Sequence, residues 1–121
     1  MKRGEIWTVA GAGDYLSKPR PVVIIQDEHF NATDSITICA FTTDPTDAPL
    51  FRVPVQPSAA NGLTDLSRIM ADKVTTVRKT RLGVRVGQLG ADDISRLNRA
   101  LAVFLGLAGA TTDTEESDSP S

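Results

Sequence analysis

The chain has 121 residues, a formal net charge of −2 and a single cysteine. That length fits one domain, and one thiol excludes both an internal disulfide and a thiol-based metal cage. No apolar run suggests a signal peptide or a membrane span, so the expected location is cytoplasmic.

The net charge hides an uneven distribution. Residues 111–121 (TTDTEESDSPS) hold Asp113, Glu115, Glu116 and Asp118 and no base. They contain no aliphatic or aromatic residue, so a disordered tail is expected there and a folded domain over residues 1–110. Without the tail the charge is about +2. Arg68, Lys73, Arg78, Lys79, Arg81 and Arg85 crowd into one segment opposed only by Asp72, a pattern compatible with a polyanionic partner and equally with a solvated face.

In chain order, residues 5–9 (EIWTV) alternate and predict a strand. Residues 10–19 form a Gly-bearing loop. Residues 21–26 (PVVIIQ) are a continuous β-branched run, the pattern of a strand buried on both faces; Pro21 heads it, where a missing N–H costs least. Residues 27–34 read as a loop and residues 35–43 (SITICAFTT) as a further strand, with Cys39 a buried structural thiol. Residues 44–49 carry two prolines and two aspartates and predict a loop. Residues 51–55 predict a short strand, Asn61-Gly62 a turn, residues 66–76 one or two short strands, and residues 81–86 another. From Ala91 the period changes. Ile94, Leu97, Leu101, Phe104 and Leu105 recur at helical spacing, Asp92 and Asp93 sit in the first turn, and Gly106 and Gly109 offer stops. Leu101, Val103, Phe104, Leu105 and Leu107 are more apolar than one helix face requires. The expected fold is mainly β with a C-terminal helix, five to seven strands bent into a small barrel that the helix plugs or flanks.

Several chemistries are missing. One histidine, His29, allows no two-histidine metal or acid/base pair, and its loop position predicts exposure. There is no P-loop, no GxGxxG and no HxxxH. Neither a metal nor a cofactor is expected. Three features remain. Lys18-Pro19-Arg20-Pro21 holds an arginine between two rigid residues, which lowers the entropic cost of gripping a phosphate with its planar fork. Thr42-Thr43 places hydroxyls at the rim of a buried strand. The basic segment of residues 73–85 completes a plausible phosphodiester site.

MKRGEIW at the start, KPRPVVII, ITICAFT, Ser67, DKVTTVRKTRL, and GQLG ahead of a helix ending in FLGL follow one another in the order seen in the MazF/PemK toxins. The sequence resembles that family over about residues 2–107. The resemblance implies an SH3-like barrel of the toxin fold shared by MazF and CcdB. It also implies a homodimer, an antitoxin partner, and metal-independent endoribonuclease action on single-stranded RNA. Arg20 matches the family's catalytic arginine and Thr42 its catalytic threonine. Asp14, Lys18, Thr43, Lys73, Thr76, Arg78, Lys79 and Arg81 are expected to bind RNA. The first loop departs from the family's frequent Gly-Ser-Glu-Gln, with Asp14 near the usual serine. The implied reaction is attack of a ribose 2′-hydroxyl on the adjacent phosphorus. The competing reading is a non-enzymatic toxin of the same fold that acts on a protein such as DNA gyrase through its terminal helix.

Overall fold

The computed structural model describes residues 1–10, 19–45 and 51–108. Six strands, β1 (Glu5–Val9), β2 (Arg20–Ile24), β3 (Ser35–Thr42), β4 (Arg52–Val55), β5 (Ser67–Arg78) and β6 (Leu82–Gln88), precede one helix, α1 (Ala91–Phe104). The strands form a single antiparallel sheet in the order β4-β5-β3-β2-β1-β6.

Both faces of this sheet are apolar, which is why the central strands read as unbroken hydrophobic runs. Ile6, Val23, Cys39, Phe41, Ile69 and Ala71 make one core, sealed by Leu97, Ala100 and Leu101 of α1. Val22, Ile24, Ile36 and Ile38 make the other, flanked by Trp7, Val9, Val77 and Leu82 from strands that curl around it. Burying each such side chain stabilises the fold by about 1.5–3 kcal/mol. Cys39 is buried in the first core, as expected, and burial chiefly pushes its thiol up to about 11, with the charge of Asp72 adding to the effect.

The sheet is strongly bent but is not closed into a hydrogen-bonded barrel. A shift in register between Cys39 and Phe41 lets β5 bend around β3, so residues expected as one or two short strands form one strand of twelve. Between β4 and β6 there is no ladder. The turn after β4 closes the seam, with Gln88 N donating to Ala60 O at 3.0 Å. Asn61 holds that turn: its Oδ1 accepts from Ser58 N and Leu63 N, and its Nδ2 donates to Gln56 O. Gly62 follows at φ +71°, with Val86 packed where a Cβ would sit. Strand β4 lies at the sheet's edge with Pro54 within it.

The helix ends as the glycine pattern predicts. Gly106 adopts φ +76°, Gly106 N donates to Val103 O and Leu107 N to Ala102 O, the paired bonds of a Schellman stop. Beyond it Phe104, Leu105 and Leu107 are exposed. The expected tail, residues 111–121, and Asp14 and Lys18 lie outside the described residues. Among those described, no helix is long and apolar enough to cross a membrane.

Candidate functional site

One row of residues runs across the sheet where β2 begins and β3 ends. Val9 pairs with Arg20. The Val22–Ala40 register, carried two residues further, sets Arg20 beside Thr42. Thr42 pairs in turn with Arg68, and Arg68 with Pro54. Paired residues in antiparallel strands project to the same face, so two arginines flank the Thr42 hydroxyl.

Arg20 and Thr42, with Pro21, Phe41, Thr43 and Ser67, line a pocket of about 140 Å³. Arg20 is exposed, and its side chain forms no hydrogen bond or ion pair among the described residues. Thr42 Oγ1 accepts from Asp44 N at 3.1 Å. That contact occupies an acceptor position on the hydroxyl and leaves its proton available to an outside oxygen. Thr43 contributes a second hydroxyl at the same rim.

The other expected site residues divide by position. Arg81 belongs to the Arg20 side: its Nη2 donates to Ala10 O, one residue past Val9. Lys73 lies within the register shift of β5, its Nζ 4.0 Å from Asp72 Oδ2. Thr76 and Arg78 pair with Thr37 and Ser35, at the opposite end of β3. Thr37 is five residues from Thr42, roughly 16 Å at strand rise. Lys79 donates from Nζ to Asn31 O and from its backbone N to Asp34 O. The structure therefore does not gather Thr76, Arg78 and Lys79 around Arg20.

Arg68 is the residue the sequence reading passed over. Its Nη1 reaches Asp44 O at 3.4 Å, so it also braces the turn that orients Thr42. Only the register reveals it; in the sequence it is one base among several.

His29 is exposed on a short turn (Glu28–Phe30) at the far end of β3. A hydrogen bond with the Asp27 side chain, and then that carboxylate's charge, raise the histidine's pKa above its ordinary value. It does not reach the Arg20 pocket. Among the described residues no three His, Cys, Asp or Glu side chains group as a metal site.

Known proteins resemble this chain in sequence and in fold. The family model described as PemK-like, MazF-like toxin of type II toxin-antitoxin system matches residues 2–105. The chain belongs to this family. A relative from Mycolicibacterium smegmatis, described as a probable endoribonuclease MazF, is 54% identical over 109 residues, covering 90% of this chain and all of its own. Among solved structures, a mycobacterial endoribonuclease in complex with its cognate antitoxin is 27% identical, with a TM-score of 0.73, over 88% of this chain and 96% of its own. The Mycobacterium tuberculosis toxin MazF-mt6 superposes with a TM-score of 0.71 at 27% identity, over 84% and 96% of the two chains. The fold described here thus matches that of solved MazF toxins.

Proposed function

We propose that this MazF-family toxin is an endoribonuclease that cuts single-stranded RNA by 2′-hydroxyl transesterification, with Arg20 and Thr42 at its centre. The observation that carries the reading is the Arg20 guanidinium, without a partner among the described residues, set in register beside a Thr42 hydroxyl whose acceptor side Asp44 N already occupies. The endoribonuclease relatives favour this over a toxin that acts on a protein such as gyrase.

The 2′-oxygen attacks phosphorus, the P–O5′ bond breaks, and a 2′,3′-cyclic phosphate and a 5′-hydroxyl end result. Negative charge grows on the non-bridging oxygens as the phosphorane forms. Arg20 meets it with a fixed cationic fork, and Thr42 donates its proton to one of those oxygens. A guanidinium holds its proton too tightly to act readily as a base, so Arg20 stabilises charge rather than removing the 2′-proton. Arg68 adds positive charge on the other side of Thr42, and Arg81 and Lys73 extend it along the groove.

A cognate antitoxin is the expected protein partner; its acidic segment would occupy the same basic groove and compete with RNA. A homodimer is expected as well. The exposed Phe104, Leu105 and Leu107 at the end of α1 offer apolar surface for a second copy. Light scattering should then return about twice the 12.9 kDa chain mass; a monomer at micromolar concentration would count against the dimer. Incubation with a long single-stranded RNA in EDTA, followed by mapping of 5′ ends, tests the activity. Cleavage that survives both Arg20→Ala and Thr42→Ala would sink the assignment.

A further inference from the structure

A second cavity, of about 260 Å³, opens beside the Arg20 pocket and shares Pro21, Thr43 and Ser67 with it. It sits at the mouth of the bent sheet, on the face of the first core. Leu63 and Val86 form apolar walls, and Thr64 and Asp65 stand at the rim. We propose that this mouth holds the nucleobase next to the scissile phosphate and selects a base that carries an exocyclic amino group. The proposal rests on the Arg20–Thr42 reading and extends it to substrate choice.

The chemistry of the walls decides what enters. A phosphate is disfavoured there, because Asp65 would face it with like charge. A flat heteroaromatic ring is favoured: apolar sides cover its faces, and polar groups at the rim meet its edge. The two cavities share a wall, so a nucleotide can keep its phosphate at Arg20 and Thr42 and turn its base over the strand ends.

The polar groups at the rim are not equivalent. Ser67 Oγ is engaged, donating to Asp65 O at 3.0 Å. The Asp65 carboxylate accepts from Thr64 Oγ1 at 3.2 Å and forms no ion pair among the described residues. An ionised carboxylate only accepts, and it pairs with base amino groups such as cytosine N4. Cytosine, adenine and guanine each carry such an amino group. Uracil has none; its one edge donor, N3–H, sits between two carbonyl oxygens that repel a carboxylate. The Thr43 hydroxyl has no side-chain hydrogen bond among the described residues and is free to serve any of the four.

The experiment is cleavage of a long single-stranded phage genomic RNA, with sequencing of the new 5′ ends, by the full chain and by Asp65→Asn and Arg20→Ala. Asp65 is exposed, so the substitution spares the core. At one nucleotide flanking the cut, the unaltered protein should disfavour uracil by about tenfold. Asp65→Asn, whose amide can donate to a uracil carbonyl, should admit uracil at that position. Three results would overturn the subsite: no uracil depletion at either flanking nucleotide, an Asp65→Asn preference identical to that of the unaltered protein, or loss of all cleavage in Asp65→Asn. Arg20→Ala separates the two levels. If it abolishes cleavage while the Asp65→Asn preference is unaltered, only the subsite falls. If it cuts as well as the unaltered protein, the Arg20–Thr42 assignment falls and the subsite with it.

Discussion

The two ends of β3 are built from similar polar residues and use them in opposite ways. At the Ser35 end the groups satisfy one another. Asp27 accepts from His29 N, Gln26 Nε2 donates to Phe30 O, Gln26 Oε1 accepts from Thr37 N, and Asn31 Nδ2 donates to Met1 O. Among the described residues, only Asn31 Oδ1 is left buried without a partner. At the Thr42 end Arg20 is held in place by its strand and by two prolines, yet its side chain pairs with nothing among the described residues. Polar groups that pair with each other stabilise a turn. Polar groups held rigid and unpaired are preorganised for something that arrives from outside.

That contrast can be broken most directly at Arg20. Arg20→Ala should lower kcat/KM on RNA by about 10²–10³-fold, while the melting temperature stays nearly constant, since an exposed substitution costs no more than about 0.5 kcal/mol. A large drop in melting temperature would mean that Arg20 serves the fold instead. Thr42→Val keeps the branched shape and removes the hydroxyl; a loss of about 10²-fold is expected in kcat with little change in KM. An equal rise in KM would make Thr42 a ground-state contact.

The other end should respond in reverse. Gln26→Ala removes two hydrogen bonds and should destabilise the chain by about 1–2 kcal/mol, read by urea unfolding, with cleavage per folded molecule little altered. The smallest effect belongs to His29. As the chain's only histidine it gives a single imidazole titration by NMR. Its midpoint should lie above the usual 6.5 and fall back in Asp27→Asn. A raised folded-state pKa means that the pair's contribution to stability is fully present below the ordinary histidine pKa. It is lost as pH rises through the raised midpoint. Cleavage should not follow this titration; a matching limb in the pH–rate profile would bring His29 into the chemistry.

Much of the fold was legible because each element carries a local signal. EIWTV forms the expected strand although only Ile6 in it is buried, the β-branched run after Pro21 and the spacing of Leu97 and Leu101 report burial directly, and Gly62 and Gly106 adopt the backbone their positions suggested. What the sequence concealed depends on distant pairing. The bend in β5 arises from a register shift against β3, and neither strand announces it alone. For the same reason the basic cluster of residues 68–85 could not be divided from sequence. Arg68 joins Thr42, whereas Arg78 and Lys79 sit at the other end of β3, because one long strand carries them apart. Family resemblance singled out Arg20 and Thr42, and the structure adds that the two line one pocket, side by side across β2 and β3.

Strand β4 bears on how partners can approach. It is an edge strand of four residues, and Pro54 deprives it of one backbone donor. Short edges interrupted by proline are poor templates for an incoming strand. This side of the toxin therefore resists both runaway self-association and capture by strand addition. A binding protein that gripped side chains near Arg20 instead of this edge would neutralise the toxin and block its proposed substrate in a single event.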